Sequence, residues 1–376
     1  MALEFLFWTL LFLIFYVYVG YPAVIFFLSR FIGKPVLLGD NLFDVSIIIA
    51  AYNEESSIAQ KIEQSIDQQY PADRLEVIVN SDGSTDRTDQ IVESYSSRGV
   101  ILRRYEGRKG KTYCQNETVK TAKGEIIVFT DATSEYERET IRRIVEPFSD
   151  ESVGCVCAEL SYVAHYRGAK EVGKSEGMYW KIEKKLKAIE SRLSSCLGAS
   201  GALYAMRKSA YTPLAAELIS DFVEPLVVLK KGLRTVYHSP AKCYDQTAKS
   251  FRTEFHRKVR TILRALNSLP AVKSLFNPFK HGIVAFQLFS HKLLRWLMPV
   301  LMLALFGVNL FLFPGNLYAV LFVVQMAFYL LALIGIAVKA KPFSIAHYFC
   351  LVNAASLIAI AQCLMGKNRV VWDTER

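Results

Sequence analysis

Four stretches of this chain carry no Asp, Glu, Lys or Arg: Phe5 to Leu28, Leu297 to Phe313, Leu317 to Val338 and Ser344 to Met365. No other feature limits the fold as strongly. A helix needs about 20 apolar residues to cross a bilayer, and in lipid only helices and closed barrels satisfy their own backbone. Each stretch is near that length and is expected to form a membrane helix. The first is too long and too aromatic for a cleaved leader. It also lacks a basic start and a clear small-residue cleavage site, so it reads as a retained anchor. Arg30 and Lys34 follow it, His291, Lys292 and Arg295 precede the second stretch, and Lys339 and Lys341 lie between the third and fourth. Basic residues favour the cytosolic side, which places all of these inside if the amino terminus is outside. Lys367 and Arg369 then fall outside, a mild conflict that leaves the last stretch open to a re-entrant course.

The expected layout is an anchor over residues 1–30, a cytosolic domain over 40–270, an interfacial amphipathic segment over 271–296 and carboxy-terminal membrane helices over 297–366. Trp296 would sit at headgroup level.

Within the middle region, short apolar runs alternate with helical patterns. Val45 to Ala50, Leu75 to Val79, Val100 to Arg103 and Ile126 to Thr130 read as strands, most of them apolar on both faces. Helical patterns lie between them, and another is expected from Glu137 to Glu146. Ser84 or Thr85 is placed to cap the helix after the second strand. This alternation predicts an α/β domain with a mostly parallel sheet layered between helices. Further on, Val153 to Ala158 and Thr235 to His238 read as strands, and Lys174 to Leu193 and Arg252 to Leu269 as helices.

Asp131 ends the run Ile126 to Thr130. A carboxylate at the carboxyl end of a buried strand stands where open α/β sheets hold ligands; the plainer alternative is a cap for the next helix. The net charge of +10 suits a protein against anionic lipid or one that handles phosphates. No nucleic-acid motif is present, so nucleic acid is not an expected partner. The seven cysteines lack zinc spacing and suit a reduced, cytosolic domain. Gly110-Lys111-Thr112 resembles the end of a Walker loop, but Tyr105 stands where that loop needs glycine. Lys109 and Lys111 can still meet phosphate at a helix amino terminus.

Taken together, Ala50-Ala51-Tyr52-Asn53-Glu54-Glu55, Ser81 to Asp86, Lys109-Gly110-Lys111 with Asn116, and Phe129-Thr130-Asp131 resemble family 2 glycosyltransferases. The resemblance continues through Gly198 to Arg207, Ile219 to Leu226, Arg257 to Arg260 and Ser290 to Trp296. In layout the chain is similar to the membrane-bound synthases related to hyaluronan, chitin and cellulose synthases and to ceramide glucosyltransferase. That resemblance implies a GT-A fold in the cytosol, inversion at the anomeric carbon, and a location in the bacterial inner membrane. It implies a nucleotide-sugar donor, most simply UDP-linked, and a lipid or glycan acceptor.

By the same resemblance, Ala51, Tyr52 and Glu54 would line the base and ribose. Asp82 would hold the uracil or ribose, and Lys111 would face the diphosphate. Asp131 would be the first acid of the family's D-x-D and would help place Mg2+ or Mn2+. Thr133 replaces the second acid, and a neutral hydroxyl is a poorer ligand for a hard cation. Asp221 would be the general base, with a helix N-cap as the plainer alternative. Arg257 and Arg260 would reach the donor's diphosphate. Thr261 stands where processive relatives carry Trp, so short products are expected. Gly198, Ser200 and Gly201 would shape the acceptor pocket. Two alternatives stay open: a phosphoprenol sugar synthase, and a non-catalytic membrane scaffold on the same fold.

Overall fold

A computed structural model describes residues 1–163, 169–313, 316–338 and 340–368. Lys339 and Arg369, two of the charges that bear on orientation, lie outside the described residues.

Eight described strands form one sheet: β1 (Val45–Ala51), β2 (Leu75–Ser81), β3 (Val100–Arg104), β4 (Ile126–Asp131), β5 (Glu135–Tyr136), β6 (Val153–Val163), β7 (Leu203–Arg207) and β8 (Arg234–Gln246). Their order is β3-β2-β1-β4-β7-β6-β8-β5. The first four are mutually parallel, as the alternation of strands and helices predicts. The other half is mixed: β7 runs antiparallel to both β4 and β6, β8 runs parallel to β6, and β5 runs antiparallel to β8. The reversal at β7 has a local cause. The small-residue loop before it lies beside the carboxyl end of β4, where Thr130 pairs with Leu203, so the strand can only run back.

The apolar runs are unbroken because both faces of the parallel half are covered. Ile47, Ile49, Val77, Val79 and Val128 pack on one face. Ile48, Ile78, Ile127 and Phe129 pack on the other. Burying each such side chain contributes about 1.5–3 kcal/mol, which makes this half the rigid floor of the site. The chain leaves β1 for β2 on one side and returns later to β4 on the other. Strand order therefore reverses beside β1, and a crevice opens there at the carboxyl ends. Ala50 pairs in register with Asn80 on one side and Asp131 on the other, so the three residues form one row at the crevice.

Among the described residues, four helices are long and apolar enough to cross a membrane: Ala2–Ile32, Pro278–Leu312, Asn316–Ala337 and Lys341–Leu364. The second starts well before the stretch expected to span. A 3-10 helix covers Leu269–Phe276, and from Pro278 a helix kinked at Gly282, which sits at φ 44°, runs on to Leu312. The boundary expected near residue 296 is therefore not a break in the backbone. The first two long helices each contain a π-helical stretch, Tyr16–Gly20 and Leu288–Leu293. The two stretches meet where the Tyr16 hydroxyl and the Ser290 hydroxyl are 2.8 Å apart.

Some elements differ in length from their expected bounds. The helix expected from Glu137 covers Thr140–Val145. The strands expected to end at Ala158 and His238 run on to Val163 and Gln246, because β6 and β8 extend by pairing with each other past an irregularity at Ala158 and Glu159. The helix after β2 starts at Thr88, and neither Ser84 nor Thr85 caps it. Arg87 stands at the N-cap, and the Asp86 side chain, one residue before it, accepts from the Thr88 amide at 2.9 Å.

Candidate active site

The loops after β1 and β2 are laced together and form one wall of the crevice. Asn53 sits at φ 52°, in the left-handed region that Asn tolerates better than most residues. Its side-chain oxygen accepts from the Thr85 amide at 2.8 Å, and the Glu54 amide donates to the Thr88 hydroxyl at 2.7 Å. This lacing aims Tyr52 and Glu54 into a cavity of about 150 Å³, which Ala51, Asp82, Lys111, Asp131 and Thr133 also line.

Asp82 is buried, and its carboxylate accepts from the Lys109 amide at 2.7 Å and the Gly110 amide at 3.0 Å. It fastens the basic loop across the crevice. That loop brings Arg108 over the ring of Tyr52, with the guanidinium carbon 3.5 Å from the ring centre. A cation over an aromatic face forms a flat, charged roof. Arg108 was not among the residues expected from sequence. Its only signal was its place in a basic loop, and the partner ring is more than 50 residues away in the chain.

Lys111 opens the helix Lys111–Thr121 and points into the same cavity. Its ammonium donates to Asp131 Oδ1 at 2.5 Å. Asp221, the second residue of the helix Ser220–Lys230, accepts from the Gly201 amide through Oδ2 at 2.9 Å. The residue at the N-cap is Ile219, so Asp221 does not cap its own helix; its carboxylate lines a larger cavity next to the crevice. Nor does Asp131 cap a helix with its side chain; it pairs with Lys111.

Gly201 is the point where these three groups converge. A methyl group added there would lie 2.9 Å from Lys111 Nζ, 3.2 Å from Asp131 Oδ2 and 3.3 Å from Asp221 Oδ2. Glycine lets the backbone itself form the wall between the charged groups, and any side chain there would displace the Lys111 ammonium first. Burial pushes the Asp221 carboxyl above the ordinary aspartate range, and the Asp131 charge adds to it, against the pull of Lys111 and Arg264. A raised carboxyl beside a cleft is the property of a proton acceptor that works near neutral pH.

Behind Asp221 lies Glu224, one turn along the same helix and almost wholly buried. Burial pushes its carboxyl up to about 8, and the Tyr204 hydroxyl donates to it at 2.6 Å. Tyr204 in turn stacks on Phe129, with ring centres 4.9 Å apart. This packing holds the site helix against the central sheet.

A second cavity, of about 690 Å³, begins at Asp221 and extends to the long apolar helices. Gly198 and Ser200 line it, as do Arg257 and Thr261. Arg257 pairs with the buried Glu254 at 2.6 Å and lies 4.9 Å above the ring of Tyr162. It therefore borders the larger cavity and not the smaller one. Arg260 borders neither of these two. Arg264, one turn further, is 7% exposed, and its charge couples to that of Asp221. Helical spacing from Arg257 and Arg260 was a signal that could have found it. Trp180 and Trp296 also line this cavity, so aromatic faces are present although Thr261 is not one.

Among the described residues, no group of three or more His, Cys, Asp or Glu is placed to hold a metal ion. Asp131 and Thr133 offer one carboxylate and one hydroxyl. That set suits a magnesium-like ion only when a bound phosphate group and water complete its oxygen ligands.

Residues 46–212 match the family model described as glycosyl transferase family 2. A β-monoglucosyldiacylglycerol synthase from Synechocystis sp. is 32% identical over 132 residues, a match covering 33% of this chain and 28% of the relative. An N-acetylglucosaminyltransferase from Azorhizobium caulinodans is 27% identical over 209 residues, covering 51% of this chain and 52% of the relative. The chain thus spans 28–52% of the length of these curated relatives. Among solved structures, the mannosyltransferase PcManGT from Pyrobaculum calidifontis, in complex with GDP-Man and Mn2+, superposes with a TM-score of 0.74. That likeness covers 97% of this chain and 99% of the other at 21% identity, and it shows the GT-A fold.

Proposed function

This chain carries a glycosyl transferase family 2 domain, and from that premise we propose that it is a membrane-bound, inverting hexosyltransferase. It moves a sugar from a nucleotide-sugar donor, most simply UDP-linked, to a lipid or glycan acceptor. The observation that carries this reading is the convergence of Lys111, Asp131 and Asp221 on Gly201, between a small crevice and a large cavity. The crevice takes the nucleotide, with its base against Tyr52 and Arg108 and its diphosphate towards Lys111. The acceptor enters through the large cavity and presents a hydroxyl to Asp221.

The chemistry follows from that arrangement. A sugar or lipid hydroxyl is a very weak acid, so its proton must leave as it attacks. Asp221 takes that proton. The oxygen attacks the anomeric carbon from the side opposite the diphosphate, and the configuration inverts. Lys111, which lines the crevice, neutralises charge on the departing diphosphate. A divalent ion held by Asp131, Thr133 and the donor's phosphate oxygens would add to that neutralisation. The basic loops favour a cytosolic domain, on the inner face of a bacterial membrane.

The test is a donor screen. Purified protein in detergent is given UDP- and GDP-linked hexoses with a total lipid extract. Nucleoside diphosphate release and product mass are read together. One donor should give both signals; a panel in which no donor is consumed would end this reading.

A further inference from the structure

The large cavity reaches beyond what a glycan acceptor alone would need. Its far end is lined by Tyr18 from the first long helix and by Phe349, Val352 and Ser356 from the last. Those helices are long and apolar enough to cross a membrane, so the cavity joins the catalytic carboxylate to the hydrocarbon region. A ligand that fills it has an apolar end in lipid and a polar end at Asp221.

The polar part of the cavity is strongly biased in charge. Lys187, Arg257, Lys258, Lys292 and Arg295 line it, and the carboxylates that line it are Glu183 and Asp221. Two further acids, Glu254 and Glu190, are fully buried and serve the wall: Glu254 pairs with Arg257 and Lys258, and Glu190 with His291. Glu183 is already engaged by Arg295 at 2.8 Å. Lys292 is half-buried, and among the described residues it has neither a hydrogen bond nor an ion pair within 4 Å; the acids whose charge reaches it, Glu183 and Glu190, are themselves paired with Arg295 and His291. Holding an ammonium in such a place is costly unless an anion meets it. Point-charge ammonium groups grouped with guanidinium forks suit a phosphate group.

We propose that the acceptor is a membrane amphiphile bearing a phosphate group, which the Lys187, Arg257, Lys258 and Lys292 side chains hold while a separate hydroxyl reaches Asp221. This rests on reading the large cavity as the acceptor's. The phosphate lies along the path between the bilayer and the reacting hydroxyl. It anchors the head group and leaves Asp221 to take the proton. The aromatic faces fit the same task. Lys258 lies 5.5 Å and Lys187 5.8 Å from the ring of Trp180, so charge and stacking surface are offered together.

The experiment measures binding, not transfer, so its failure is separable from failure of the donor screen. Full-length protein in a neutral detergent is titrated with dodecyl phosphate, dodecanol or inorganic phosphate, and bound ligand is counted by native mass spectrometry. Dodecyl phosphate should bind at least tenfold more tightly than either of the others. Lys292→Gln should weaken dodecyl phosphate about tenfold and leave dodecanol unchanged, in line with the loss of one charge-assisted contact. If that variant fails to fold, Lys258→Gln gives the same comparison, since Arg257 still pairs with Glu254. Equal binding of dodecanol and dodecyl phosphate would overturn the phosphate. Equal binding of inorganic and dodecyl phosphate would overturn the amphiphile. An unchanged affinity in the folded lysine variant would overturn the assigned contact.

Discussion

The residue on which the proposed chemistry turns is Asp221. It was legible in sequence only through family resemblance, because one acid near the start of a helix is also what a cap looks like. The structure removes the cap: the N-cap is Ile219, and the Asp221 carboxylate accepts from the Gly201 amide. Burial raises its carboxyl. A base must be deprotonated to act, so turnover should fall as pH drops through a value above the ordinary aspartate range of about 3.9. A kcat profile whose acid limb lies at or below that value would remove Asp221 from the role. Asp131 makes a different prediction. Its carboxylate holds Lys111 in place, so Asp131→Ala should weaken donor affinity by calorimetry by about tenfold, as expected for loss of a partly buried charge-assisted contact. An unchanged affinity, with or without manganese, would mean the donor does not meet this acid. Arg108 and Arg264 escaped the sequence reading for a physical reason. Each gains its place from a partner remote in the chain, Tyr52 in one case and Asp221 in the other.

At the scale of elements, the parallel half of the sheet was legible because its strands are buried on both faces and therefore apolar without alternation. The extensions of β6 and β8 were not. Their outer ends carry Glu159, Ser161, Asp245 and Gln246, which read as loop, and only mutual pairing makes them strand. The loop before β7 shows how an element can be fixed by one glycine. Gly201→Ala should keep the fold but push Lys111 from Asp131, the flexible end yielding first. Turnover should drop at least tenfold with little change in melting temperature; full activity would mean the three groups do not work as one cluster. The helix Ser220–Lys230 carries a pH dependence of its own through Glu224. In the folded chain its proton is held up to about pH 8, whereas the unfolded chain releases it near the ordinary glutamate value of about 4.3. The stability it contributes is therefore full below that lower value and is lost as pH rises through 8. Glu224→Gln keeps a neutral group and an acceptor for Tyr204. The variant and the parent should melt together at pH 4, and the variant should melt higher at pH 9. A parent as stable as the variant at pH 9 would show that Glu224 ionises freely.

At the scale of the whole molecule, four long apolar helices and a family 2 domain are joined around one cavity. The apolar stretches were the plainest feature of the sequence, yet the cavity they help to close was invisible there. It depends on Tyr18 and Phe349 meeting across more than 300 residues of chain, with ring centres 5.3 Å apart. A chain built this way should stay with membranes through alkaline carbonate extraction, and its release into the supernatant would contradict the spans. The central claim is that sugar transfer at the membrane runs through Asp221. The most direct measurement compares the parent and Asp221→Asn, reconstituted in vesicles with the donor found by screening, for donor affinity and for single-turnover sugar transfer to lipid. Asparagine keeps the size and the contact to Gly201 but takes no proton. The account predicts equal donor affinity and a transfer rate lower by about 10²–10⁴. Equal transfer rates in the two proteins would contradict it.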